Sequence, residues 1–232
     1  MTRDRLTPKE ETIVSTNTDP TVSVPPGMRA AVASIAERLA GEFDGIFSPE
    51  TVRLAVPESC EAYENAKSTA FVPLFVERFT RQRLGALART VGKVSSTTPL
   101  VVFLCVHNAG RSQMAAAWLR HLGGEGVEVF SGGSNPGSAV NPAAIASMGE
   151  VGIDITTEFP KPWTEDVLRA ADVIVTMGCG DACPVFPETR YMDWKVDDPA
   201  GLPLEDVRPI RDHIEQRVRE LMTELGVPVV DA

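Results

Sequence analysis

Positive charge, cysteine and long apolar runs are all scarce in this chain, and each shortage removes a class of function. Only 22 Lys and Arg stand against 32 Asp and Glu, a formal charge of -10 over 232 residues. So acidic a surface is repelled by nucleic acid and by anionic membranes, so neither is expected as the main partner. A small anionic substrate must then be captured by a local positive pocket, against the overall field. Four cysteines are too few for a disulfide-built secreted scaffold of this length. No apolar run approaches the length of a membrane span, and the first residues lack the hydrophobic region of a signal peptide. No glycine-rich stretch ends in Gly-Lys-Ser/Thr, which excludes a nucleotide-binding loop of the Walker type. A cytoplasmic globular chain without internal repeats is the expectation, with apolar content for one large core or two small ones.

What is present divides into unlike parts. Residues 1–27 are polar, with scattered prolines, and read as a flexible tail. Residues 28–94 carry helical periodicity. The pattern predicts one helix from Met28 to Leu39, a second opened by Ser48-Pro49-Glu50 and continuing into Cys60 to Lys67, and a third over Phe71 to Thr90. Pro57 is expected to kink or divide the second. Three helices with short connections imply a small antiparallel bundle. Ser95-Ser96-Thr97-Thr98-Pro99 reads as a linker (95–99), and residues 100–232 form a second domain in which strands and helices alternate. Leu100 to Leu104, Val127 to Phe130 (closed by Ser131-Gly132-Gly133) and Asp172 to Thr176 read as buried strands. Asn141-Pro142 opens a helix through Met148, and Pro203 to Leu225 contains a long final one. The fold class is therefore α/β: a parallel sheet with helices on both faces, preceded by a three-helix bundle.

The most informative segment follows the first strand. Residues Cys105 to Ser112 read Cys-Val-His-Asn-Ala-Gly-Arg-Ser. Met114, Trp118 and Leu122 then repeat at helical spacing. A cysteine thus ends a strand, a loop turns through Val106, His107, Asn108, Ala109 and Gly110, and a helix opens near Ser112. Loop amides and the positive helix end converge there on an oxyanion site, and a thiol facing that site is expected to give up its proton readily. Arg111 adds a planar fork of donors suited to a tetrahedral oxyanion. His107 is read as pointing outward while its amide serves the site, because a stabilised thiolate needs no base. His121 and His213 read as ordinary helix residues, and Cys60 as a packing residue.

Attack on such an anion requires an acid for the departing oxygen, and Asp198 in Asp197-Asp198-Pro199 is the candidate, although Asp-Pro is equally at home in a surface turn. A second constellation is Thr176-Met177-Gly178-Cys179-Gly180-Asp181-Ala182-Cys183-Pro184. Its two thiols could bind zinc with Cys60 and His213, form a static disulfide, or act as a redox pair with Cys105; the last is the sharper reading.

On these residues the second domain, from about Leu100 to Leu225, resembles an arsenate reductase of the low-molecular-weight protein tyrosine phosphatase superfamily. The loop carries the superfamily; the paired cysteines and Asp197-Asp198-Pro199-Ala200-Gly201 carry the reductase branch, with Asn141-Pro142 and Asp193-Trp194. The bundle resembles a three-helix module fused to this domain in some actinobacterial reductases. The resemblance implies that Cys105 attacks arsenate held by Arg111 and the loop, that Ser112 supports the thiolate, and that Asp198 is the acid. Asn108 and Ser131 would brace the loop. Cys179 would then attack and Cys183 resolve, with thioredoxin reducing the resulting disulfide. The other route in the family uses mycothiol with a glutaredoxin-like partner. No tightly bound cofactor is implied. Where some members bind potassium with acidic residues this chain has Ala116 and Lys161, so no potassium site is expected. The Lys161 amine either supplies that positive charge or is a solvated loop charge. The alternative activity is phosphomonoester hydrolysis by Cys105, Arg111 and Asp198 alone, and a homodimer through the bundle is one expected use of the first domain.

Overall fold

The computed structural model describes Val24 and residues 26–63, 70–178 and 184–230. Three helices come first: α1 (Arg29–Glu42), α2 (Pro49–Glu61) and α3 (Val72–Thr90). Ser48 caps α2 by accepting from the Thr51 amide at 3.2 Å, with Pro49 at the first helical position. Ile35 and Leu39 of α1, Val52 and Val56 of α2, and Val76 and Leu84 of α3 close into one apolar core. Two expectations need correcting. Helix α2 ends at Glu61 with Ala62 as its cap, and Tyr63 turns its ring onto Phe79 and Phe159, while the expected stretch from residue 64 to Lys67 lies outside the described residues. Pro57 sits inside α2 without dividing it; the burial of Val52, Val56 and Cys60 on one side holds the helix through the missing amide.

The second part is a four-stranded parallel sheet in the order β2-β1-β3-β4, built from β1 (Leu100–Cys105), β2 (Glu128–Gly133), β3 (Val173–Met177) and β4 (Arg190–Asp193). Helices α4 (Arg111–Gly123), α5 (Pro142–Gly149), α6 (Glu165–Ala170) and α7 (Leu204–Leu225) complete it. Every β1 side chain is buried, as a central parallel strand requires. With period two, Val101, Phe103 and Cys105 join the core of α4, α5 and α7, whereas Leu100, Val102 and Leu104 join that of α6. Ala86 of α3 lies in this second core, so the bundle helps to cover the sheet. The 95–99 segment is correspondingly pinned: Arg89 donates to the Thr98 carbonyl at 2.8 Å, and the Glu128 amide to that of Pro99 at 2.9 Å.

Two elements were not foreseen. Helix α6 has six residues, too few to show a period, and β4 has a polar, half-exposed edge pattern. Strand β2 also runs on through Gly133 and is not closed at Ser131. Its last residues pair with β1, and the backbone at 161–163 crosses directly over them. A Cβ on Gly132 would meet the Trp163 backbone at 2.9 Å, and one on Gly133 the Val106 carbonyl at 2.6 Å. Bare backbone is what lets that segment and the loop after β1 both approach. The chain crosses in opposite directions from β1, to β2 on one side and β3 on the other. This is the switch point at which open α/β sheets place their ligands.

Candidate active site

Cys105 is the last residue of β1 and 2% exposed, and α4 begins at Arg111. The intervening turn is fixed by its carbonyls. Val106, His107 and Ala109 accept from the amides of Asn135, Gly137 and Asn141 at 2.7–2.8 Å. Asn108 takes a left-handed φ of 47°, a conformation Asn tolerates better than most residues. Among the described residues, the amides of His107, Ala109 and Gly110 donate to no backbone carbonyl. They are among the donors open to an oxyanion at the start of α4. Gly110 is obligatory here, since a Cβ would stand 2.6 Å from the Pro199 ring.

Beneath the loop lies a buried polar network. Asn108, Ser112 and Gln113 are fully buried. The backbone N–H of Lys161 can only donate, so the atom it meets at 3.0 Å must be the Asn108 side-chain oxygen. That orientation turns the Asn108 amide nitrogen to Ser112 Oγ at 2.9 Å. Ser112 therefore accepts from Asn108 and keeps its own hydrogen for Cys105 Sγ, 3.0 Å away. The Asn108 backbone amide donates to the same sulfur at 3.2 Å. Two donors thus converge on the thiol, the arrangement that stabilises a thiolate. Gln113 locks the network by donating to both oxygens of Asn108 and to the Phe159 carbonyl, at 2.9–3.1 Å.

Above the loop, Arg111 meets Asp198 at 2.8 Å; the arginine is largely covered and the carboxylate half exposed. Asp198 also accepts from the Ala200 amide, and Asn141 donates to the Pro199 carbonyl at 2.9 Å. The Asp-Pro turn is therefore part of the site. Cys105, His107, Ala109, Gly110, Arg111, Asn141, Asp198, Pro199 and Ala200 line a cavity of about 60 Å³, and among the described residues no Phe, Tyr or Trp joins its wall. That space suits a small tetrahedral oxyanion and offers nothing to stack on an aryl group.

Lys161 is 2% exposed, so it is no solvated loop charge. Its Nζ lies 3.4 Å from Ser131 Oγ and 4.7 Å from the centroid of the Phe159 ring. Burial pushes its amine down to about 7, opposed by nearby Glu158 and reinforced by Arg120 and Arg78. Cys60 is buried in the bundle core, and burial raises its thiol to about 11.

Cys105, Asn108, Ser112, Arg111 and Asp198 thus meet in one place, with Ser131 and Lys161 just behind. Cys179 and Cys183 lie outside the described residues. Gln113, Phe159 and the second role of Asn141 were missed from sequence. Only Asn141 carried a usable signal, its Asn-Pro capping step, which the structure confirms as the N-cap of α5. Among the described residues no group of three or more His, Cys, Asp or Glu gathers at metal-binding distance, and no helix is long and apolar enough to cross a membrane.

Comparison with known proteins gives the family. Residues 100–229 match the low molecular weight phosphotyrosine protein phosphatase family, and residues 32–88 match the N-terminal domain described as protein-tyrosine-phosphatase-like. The thioredoxin-dependent arsenate reductase Cg_ArsC1' of Corynebacterium glutamicum is 41% identical, with a TM-score of 0.78. The match covers 86% of this chain and 98% of that one. Arsenate reductase 2 of Staphylococcus epidermidis is 37% identical over 53% of this chain and 95% of its own. Arsenate reductase 2 of Staphylococcus saprophyticus is 39% identical over 52% and 93%.

Proposed function

The chain belongs to the low molecular weight phosphotyrosine protein phosphatase family, among relatives that are arsenate reductases, and from that premise we propose that it reduces arsenate to arsenite at Cys105. The observation that carries the reading is the small cavity, without an aromatic side chain among its described lining residues, floored by a doubly hydrogen-bonded thiol and roofed by Arg111 and Asp198. Arsenate entering the cavity takes over Arg111 and the free loop amides, which releases Asp198 beside the outer oxygens. The Cys105 sulfur attacks arsenic, and Asp198 is the acid that passes a proton to the oxygen that leaves as water. A second thiol then attacks the Cys105 sulfur. The sulfur–arsenic pair of electrons stays on arsenic, which departs as arsenite, and a disulfide forms. Cys179 is proposed as that second thiol and Cys183 as the one that resolves the disulfide and frees Cys105. The Cys179–Cys183 disulfide is returned to dithiol by thioredoxin, a reading supported by the similarity to the thioredoxin-dependent reductase of Corynebacterium glutamicum. Lys161 is proposed to lend positive charge behind the loop below about pH 7, where its amine keeps its proton, supported by its place beside Ser131 Oγ and over the Phe159 ring. Arsenic speciation after incubation with arsenate and dithiol tests the reading. Wild type should yield arsenite and Cys105→Ser at least about a thousandfold less. Hydrolysis of a small phosphate ester without any arsenite would replace reduction by phosphatase activity.

A further inference from the structure

The segment that orients Asn108 is held from the far side by the helical bundle. Phe159, 3% exposed, stacks on Phe75 of α3 with centroids 4.5 Å apart and planes inclined by 19°. Arg78, one turn further along α3, donates to the Thr157 carbonyl at 2.7 Å and lies 5.2 Å from the Phe159 ring centroid. It also meets Glu158, which in turn meets Arg120 of α4 at 3.3 Å. On its inner side the same short segment presents the Phe159 carbonyl to Gln113 and the Lys161 amide to Asn108. A shift of this segment would therefore reach the Asn108 side chain directly, and with it the direction of the Ser112 hydrogen.

We propose that Phe75 and Arg78 are positioning residues for Cys105. They hold residues 157–161 at the depth at which the Lys161 amide orients Asn108, and Asn108 in turn commits the Ser112 hydroxyl to the thiol. The bundle is then a working part of its own chain's catalytic site. Interior packing transmits such a displacement because neighbouring side chains leave no slack to absorb it. The proposal rests on Cys105 being the nucleophile, but not on arsenate being the substrate.

The test is the rate at which iodoacetamide alkylates Cys105 in the full chain between pH 5 and 9, read on the peptide that carries this residue. Phe75→Ala is the main variant because it leaves every charge facing the site in place: Arg111 and Asp198 above the thiol, and Glu158, Arg120 and Arg78 around Lys161. Its alkylation at pH 6.5 should be slower by about threefold to tenfold, with the high-pH plateau unchanged. Phe75→Leu, which keeps apolar volume but loses the stack, should fold if Phe75→Ala does not, and should shift the profile in the same direction by less. Leu39→Ala opens the bundle core away from Phe159; it should lower the unfolding midpoint and leave the Cys105 profile at wild type. A wild-type profile in Phe75→Leu, or an equal shift in Leu39→Ala, would overturn the proposal. Because no arsenate is used, a failure of arsenate reduction is read separately.

Discussion

The two faces of the sheet are finished by different means. On one, α4, α5 and α7 cover Val101, Phe103 and Cys105, and each of these helices follows in sequence from the strands it protects. On the other, α6 has only six residues, and Ala86 of α3 joins it over Leu100, Val102 and Leu104, with Trp163 and Phe186 packed alongside. The first face is self-contained and carries the loop and α4. The second depends on a module that precedes the sheet by sequence, and it carries the segment that braces the loop from behind. The site therefore stands at a junction: its nucleophile belongs to one core, and its brace packs through Phe159 on Phe75 of the bundle.

The comparison is broken most severely by deleting residues 1–94. This exposes the Leu100, Val102, Leu104 and Ile174 face, and residues 95–232 alone should show no cooperative unfolding transition in urea; a sharp transition would mean that α6 suffices. Next in size are single substitutions in the two cores. Leu119→Ala, on the self-contained face, should cost about 2–5 kcal/mol, the range for a fully buried leucine. Ala86→Leu, at the bundle contact, should cost about 1–3 kcal/mol by overpacking. Urea midpoints compare them, and an Ala86→Leu chain as stable as wild type would show the contact to be loose.

An effect of similar size, set apart by its pH dependence, is the most diagnostic of the junction. Lys161 titrates at about 7 in the fold against an ordinary 10.5. Between those values the unfolded chain holds the proton and the folded chain does not, so this group favours folding increasingly as pH rises through that window. Below about 7 it is charged in both states and the full cost of burying the charge remains. Lys161→Met removes this titration. Its stability relative to wild type should fall by on the order of 2 kcal/mol between pH 7 and 9. A difference that stays constant with pH would place the amine in contact with water.

Much of this was legible in the residues. The Cys105 to Ser112 run set the strand, turn and helix in one register because each residue type there has few alternatives. Gly110 admits the Pro199 ring, and Asn108 accepts the left-handed turn. The Asp198 turn was ambiguous locally and became part of the site only through Arg111 and Asn141, contacts 87 and 58 residues distant. The bundle's helices were readable, but not their function, since Phe75 and Ala86 look like ordinary core positions until Phe159 and Leu100 are brought against them. Helix α6 and β4 are too short, or too polar, to show a period. Gln113 resembles any polar residue in the first turn of a helix until three acceptors surround it.

The central claim is that Cys105 hands arsenic its electrons and passes the resulting oxidation to Cys179 and Cys183. Arsenate-dependent NADPH oxidation, with thioredoxin and thioredoxin reductase present, tests it most directly. Wild type should turn over, and Cys105→Ser, Cys179→Ser and Cys183→Ser should each abolish turnover. Full activity in either Cys179→Ser or Cys183→Ser would contradict the relay. Turnover that appears only when mycothiol and a glutaredoxin-like protein replace thioredoxin would assign the electrons to that other route.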